Sequence, residues 1–326
     1  MRSAVLALVA ALFVATPAVA AERGALEPAA LDHDAYAETW TFVADLDGGA
    51  YAQVQFSVTN LGPGSGHGIC RALVVEPGKK PWTAGERVTR GKWKHARSAD
   101  AEMLQVGPCR VRKAGNGYTI DARLEDRSLQ LRFVDAQPAE TPASNVLQVA
   151  GGQHVTRILA PSAKVQLRVQ GKGIEPLSLG GAGYADQSWS TVEPKELARR
   201  WVRFRAVRGE PKQLLLGREA LAGGFEPLWL RGADGSYETL ASFAVERSGG
   251  EKTPAFVVRV AGEGRKLVLR SGELLYRYAP VEELGVLSSV VKPFAGSPVT
   301  YTYRATLEGA GGRTVSGILE VSVSED

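Results

Sequence analysis

The chain has 326 residues, with 39 Lys and Arg against 35 Asp and Glu, 44% hydrophobic residues, 37 glycines and two cysteines. That length suggests about two domains with proper cores, and a globular balance of charged and apolar residues excludes wholesale disorder. Glycine without a Gly-X-Y period excludes collagen and points to many turns. The small positive charge is scattered along the sequence, which offers no electrostatic footprint for nucleic acid.

The first twenty residues have the form of an export signal. Arg2 supplies a positive start, Val5 to Ala15 is apolar, Pro17 breaks the run, and Ala18-Val19-Ala20 offers the small residues of a cleavage site. The run is shorter than the roughly 20 residues that cross a bilayer, no cysteine follows the site, and no later stretch is long and apolar enough to span. Residues 1–20 are therefore expected to be a signal peptide. The rest is expected to be a periplasmic or secreted protein without stable membrane insertion once the signal is cleaved.

Beyond Ala20 the chain reads as strands. Tyr51 to Asn60 alternates, with Ala52, Val54, Phe56 and Val58 on a packed face and Tyr51, Gln53, Gln55, Ser57 and Thr59 on a wetter one. Val165, Leu167 and Val169 repeat the period, as do Leu267 and Leu269. Thr300 to Leu307 runs through Gly309 to Gly312 into Val315 to Val323, a hairpin pattern. Turn signals recur between these runs, as at Asp47-Gly48-Gly49, Asn116-Gly117 and Gly249-Gly250. Only Pro194 to Arg200 has a helical look, and it is short. The absence of alternating βαβ patterns disfavours Rossmann and TIM-barrel enzymes. The expected class is all-β.

Cys70 and Cys109 are the only cysteines, and in an exported chain they predict one disulfide, stabilising by about 4 kcal/mol in the chain-entropy picture. Tyr118-Thr-Ile120-Asp-Ala122 with Arg127-Ser-Leu129-Gln-Leu131-Arg132 aligns without gaps on Phe256-Val-Val258-Arg-Val260 with Arg265-Lys-Leu267-Val-Leu269-Arg270. Each half also carries a Trp-led strand, at Trp40 and at Trp201. The pattern predicts two similar β-domains, at 21–172 and 173–326. The offsets differ, so the first half must hold extra residues, placed here within Gly62 to Gly91.

The catalytic inventory is thin. The four histidines (His33, His67, His95 and His154) are scattered, and no zinc spacing, nucleophile elbow or Walker loop is present. No metal site and no cofactor is expected. Gly62-Pro-Gly64-Ser-Gly66-His-Gly68 reads as a mobile loop rather than a phosphate cradle. One constellation stands out: Gly181-Ala-Gly183-Tyr184-Ala-Asp186-Gln187-Ser188-Trp189, followed by Pro194 to Trp201, in which Asp186 lies between aromatic residues.

Gly183, Tyr184, Asp186 and Trp189 resemble the G-Y-H-D-H-N-W-G motif that opens the second barrel of the tandem lipocalin-like superfamily of hydroxyneurosporene synthase (carotenoid hydratase), tocopherol cyclase and the yeast survival-factor lipocalins. The strand Trp40 to Leu46 and the closing strand around Gly317 to Val321 also resemble that family's. The resemblance implies two antiparallel lipocalin-like β-barrels in tandem with one short helix near the junction. It implies a hydrophobic small molecule or lipid as partner, with Tyr184, Asp186, Trp189 and Trp201 as ligand-binding candidates. Ala185 and Gln187 replace the motif's histidines, and Ser188 and Ser190 its Asn and Gly. Three roles for the motif stay open: a structural cap at a barrel rim, ligand contact, or catalysis with Asp186 as the acid. Accordingly the main expectation is an exported carrier of an apolar ligand. The alternatives are an enzyme of the hydratase or cyclase type on such a substrate, and a ligand-free structural envelope protein.

Overall fold

The computed structural model describes residues 23–61, 64–142, 145–149, 151–208, 212–232, 234–238, 240–262, 265–279, 297–310 and 313–325. The expected signal peptide lies outside the described residues, as do Gly62, Pro63, Gly311 and Gly312.

The first half forms β1 (Ala37–Leu46), β2 (Tyr51–Thr59), β3 (His67–Val75), β4 (Trp82–Val88), β5 (Trp93–Arg97), β6 (Ala101–Val106), β7 (Cys109–Ala114), β8 (Gly117–Leu124) and β9 (Arg127–Val134). It continues through β10 (Val146–Val149), β11 (Gly152–Gly171) and β12 (Leu177–Ser190). After one helical turn, α1 (Pro194–Leu197), come β13 (Arg200–Ala206), β14 (Gln213–Glu219), β15 (Phe225–Arg231), β16 (Tyr237–Glu238) and β17 (Ser242–Gly249). The last strands are β18 (Pro254–Gly262), β19 (Arg265–Tyr278), β20 (Ser297–Ala310) and β21 (Arg313–Glu325). Pro194 suits the start of α1, because its missing N–H would have no helical partner there.

The pairings make two antiparallel sheets, ordered β4-β3-β2-β1-β12-β11-β9-β8-β7-β6-β5 with β10 beside β11, and β16-β15-β14-β13-β21-β20-β19-β18-β17. Each curls until its far strands approach, β3 and β4 against β6 and β8 in the first and β15 against β17 in the second. The Cys70–Cys109 disulfide joins β3 to β7 across the first barrel. The fold is thus all-β, in two curled, near-closed sheets.

The nine-strand path is the same in both sheets, and it superposes β1 on β13 and the hairpin β8–β9 on β18–β19. These are the segments whose sequences align. The extra residues of the first half are the β5–β6 hairpin, Trp93 to Val106, and not the stretch up to Gly91. Nor is the glycine-rich segment wholly a loop, since β3 begins at His67. A division at residue 173 falls inside the β11–β12 hairpin, whereas by strand pairing the first sheet runs on to Ser190. Strand β12 pairs with β1 through Gly181–Ser190 and with β11 on its other side, so it lies in the middle of the first sheet.

Side chains occupy the first barrel's interior. Phe42 meets Phe56, Tyr118 and Phe133 with ring centroids 5.5 to 6.3 Å apart, edge-on to Phe56 and Phe133, as aromatic quadrupoles favour, and tilted against Tyr118. Trp40, Phe42, Phe56 and Phe133 are fully buried. The segment after Arg23 enters this core from one end: Leu26 is buried, and the Trp40 indole donates to the Ala25 carbonyl at 2.9 Å. A second core lines the other sheet, around Phe204, Phe256, Tyr301 and Tyr303.

Candidate functional site

Strand β12 sends alternate side chains to two different places, as the pleat requires. Residues 183, 185, 187 and 189 face the interior of the first barrel, and Tyr184 and Asp186 face the second sheet. Gly183 is obligatory on the inner side, because a Cβ there would lie 2.4 Å from Val165 Cγ1 and 2.6 Å from Phe133 Cε1. The four expected ligand residues are therefore divided. Trp189 packs on the first core, whereas Trp201, on β13, lies over His154 with ring centroids 5.3 Å apart.

Tyr184 and Asp186 sit in a buried polar layer between the sheets. Asp186 Oδ2 is 3.5 Å from Arg205 Nη2, and Arg205 Nη1 is 3.5 Å from Glu320 Oε2, while Arg203 Nη1 reaches Glu320 Oε1 at 3.2 Å. Two carboxylates meet two guanidinium groups, so the layer is neutral as a unit. The Arg205 guanidinium also lies 5.0 Å from the Tyr184 ring centroid. Burial, and next Asp186, push the Tyr184 phenol well above its usual range. The free space here is about 10 Å³, room for one water at most and far too little for an organic ligand. Asp186 works in this layer as an ion-pair partner.

Further clamps tie the two sheets together. Arg304 Nη1 reaches Asp45 Oδ1 at 2.6 Å, Arg208 pairs with Asp45 and Asp47, and Arg231 grips Glu140 through two hydrogen bonds of 2.8 Å. These pairs, together with Val43, Tyr51 and Leu73 against Leu275 and Ile318, bury what would otherwise be the outer face of β1–β3.

The inward face of the same strands carries a different chemistry. Glu38 on β1 is in phase with Trp40, Phe42 and Ala44, so its carboxylate is buried in the apolar interior. Its Oε1 accepts from Gln187 Nε2 at 2.5 Å and pairs with Arg23 Nη2 at 3.1 Å. Its Oε2 accepts from the Ala29 amide at 2.6 Å and from the Tyr36 hydroxyl. Burial raises the Glu38 pKa above the ordinary carboxylate value, although Arg23, Tyr36, the Ala29 amide and Gln187 all pull the other way. Burial, then the Glu38 charge, likewise raises the Tyr36 phenol far above its usual value.

This cluster lies under the Arg23 end of the first barrel. Arg157 Nη1 donates to the Arg23 carbonyl at 3.3 Å, and His95 Nε2 lies 3.0 Å from Glu102 Oε1. A cleft of about 550 Å³ opens there, lined by Arg23, Ala25, Arg97, Glu102 and Arg157 among others. Neither Glu38 nor Tyr36 was expected from sequence. The signal was present, because Glu38 is an acid on the apolar phase of an alternating strand. Among the described residues no three His, Cys, Asp or Glu side chains gather as a metal site would require.

No family model and no curated protein matches the sequence. Solved structures do match. An AttH-assigned protein from Nitrosomonas europaea has a TM-score of 0.63 at 15% identity, covering 89% of this chain and 93% of that one. CghA with Sch210972 has a TM-score of 0.61 at 14% identity, covering 90% and 89%. Kievitone hydratase from Nectria haematococca has a TM-score of 0.59 at 12% identity, covering 89% of each. The fold is lipocalin-like. In that frame Ala185 and Gln187, the positions where the resembled motif has histidines, both face the interior of the first barrel, and Gln187 holds Glu38.

Proposed function

We propose that this chain is an exported lipocalin-like protein that binds a small, mainly apolar molecule carrying one polar group at the Arg23 end of the first barrel. The observation that supports this best is the Glu38 carboxyl, buried among apolar side chains with Tyr36, Gln187 and Arg23 around it. A guest would take the space that Ala25 and Leu26 occupy and offer its polar group to Glu38. Each buried methylene of an aliphatic or terpenoid body contributes about 0.8 kcal/mol toward offsetting the contacts that segment gives up. The likeness to CghA with Sch210972 supports a fold able to hold an organic molecule of this kind. On this reading Asp186 holds the barrels together. Native mass spectrometry of the protein from its own cells, with uptake of a fluorescent fatty acid, tests it. Leu26→Ala should increase uptake and Glu38→Ala should reduce it. A bare mass, with no uptake by either variant, overturns it.

One observation favours a second, enzymatic reading. A carboxyl with a raised pKa is the group that acid-assisted addition to an alkene or carbonyl requires, which makes Glu38 rather than Asp186 the candidate proton donor. Deuterium transferred from heavy water into a co-purified ligand, and lost in Glu38→Gln, would support it.

A further inference from the structure

The outer face of the first barrel, on the side of the strands turned away from the buried Glu38 cluster, carries a concentration of positive charge. Strands β7, β8, β9 and β11 lie side by side, and their outward positions fall into rows. Arg110 pairs with Asp121, Asp121 with Gln130, and Gln130 with Arg168. The next row is Arg112, Thr119, Arg132 and Gln166, and a third holds Arg123, Ser128 and Gln170. The sequence scatters these arginines between residues 110 and 168 with no run of like charge. Antiparallel pairing brings all of them within three strand spacings, roughly 5 to 15 Å. The scattered charge seen along the sequence is therefore gathered in space.

These arginines lack partners of their own. Among the described residues no carboxylate pairs with Arg112, Arg123, Arg132 or Arg168, and all four are exposed. Arg110 is also exposed and touches only the amide oxygen of Gln105, at 3.3 Å. Of the acids nearby, Asp135 pairs with Lys164 and Asp126 lies beside Arg127, while Asp121, within the first row, accepts from Gln130 Nε2 at 2.9 Å. Five guanidinium groups thus face solvent against one carboxylate. A groove of about 670 Å³ runs over this face, lined by Arg110, Arg123, Arg168, Asp121, Gln130 and Gln170 among others.

We infer that this face binds an acidic polysaccharide. The guanidinium fork matches carboxylate and sulfate oxygens in a way a point charge does not. The interleaved Gln, Ser and Thr side chains both donate and accept, as sugar hydroxyls demand. Other polyanions fit the same charge less well. The outward positions of these strands hold no aromatic ring on which bases could stack, and apart from Val134 no large apolar side chain to enter a bilayer.

Titration calorimetry on the protein lacking residues 1–20 tests the inference, with heparin and polygalacturonate as the glycan probes at low ionic strength. Single-stranded DNA and phosphatidylglycerol vesicles serve as competing polyanions. The double variant Arg112→Glu/Arg132→Glu should bind the preferred glycan roughly tenfold more weakly or worse, since two attractive contacts become repulsive. Lys252→Glu, an exposed charge change in the turn between β17 and β18, should leave binding within about twofold. Circular dichroism confirms that both variants are folded. The inference fails if neither glycan binds, if Lys252→Glu costs as much as the double variant, or if DNA or vesicles bind more tightly than the glycans.

Discussion

Gln187 donates its side-chain amide to Glu38 at 2.5 Å, linking residues 149 apart in sequence across the β1–β12 pairing in the middle of the first sheet. The bond fixes one oxygen of a carboxyl that water does not reach, and it ties the β1–β12 pairing to the candidate site.

Stability should carry the signature of that carboxyl. In the fold the Glu38 pKa is raised above its ordinary value of 4.5, so the folded state holds this proton more tightly than the unfolded chain does. The contribution is fully present below the ordinary value and is lost as pH rises through the raised one. Glu38→Gln keeps the shape and cannot ionise. Its melting temperature relative to the wild type should therefore climb as pH increases from about 4, by up to about 1.4 kcal/mol of stability per pH unit within the window. Thermal unfolding of both proteins across that range checks it, and a difference independent of pH would show a carboxyl of ordinary affinity.

Arg205 and Asp186 should be unequal in a melting experiment. Arg205 serves both Asp186 and Glu320, so Arg205→Met leaves two buried carboxylates facing one remaining guanidinium, Arg203. Loss of one side of such a pair costs about 3–5 kcal/mol. Asp186→Asn removes one charge while Glu320 still compensates Arg205, and about 1–2 kcal/mol is expected. Urea unfolding distinguishes the two, and equal losses would mean that the layer is not a coupled network.

Much of this architecture is legible in the sequence, and the illegible part has a physical pattern. The alternation of β2 correctly sends Val54 and Phe56 inward, and the repeated hairpins correspond to matching places in the two sheets. The alternation puts Tyr51 on the wetter face, yet it is fully buried, because the second sheet covers that face and no local pattern records a neighbour so distant along the chain. The same holds for Asp186, whose partner Arg205 lies on a different sheet. The motif around it reads as one group of residues, but a strand's pleat divides consecutive positions between a barrel interior and an inter-sheet layer. Glu38 differs, since its misplacement on an apolar phase is visible in ten residues.

The disulfide should matter to one barrel only. Cys70 and Cys109 are separated by 39 positions and tie β3 to β7 across the first core. Replacing both by alanine should cost about 2–4 kcal/mol, mainly by freeing the unfolded chain. Hydrogen exchange localises the effect: amides of β3 and β7 should lose protection while those of β18 and β20 keep theirs. Uniform loss in both sheets would show that the two unfold as one unit.

His154 predicts the acid limb of the stability curve. Its ring is buried against Trp201, with Thr156 Oγ1 3.3 Å from Nε2. Burial, reinforced by Arg203 and Arg218, lowers its pKa from 6.5 to about 3. The unfolded chain therefore takes up a proton that the folded ring refuses. The contribution of His154 is present above the ordinary value of 6.5 and is lost as pH falls toward about 3, at up to about 1.4 kcal/mol per pH unit. His154→Phe retains a ring for Trp201 to pack on and cannot take up the proton. Its unfolding free energy should fall less steeply than that of the wild type between those two pH values, and parallel curves would place the acid sensitivity elsewhere.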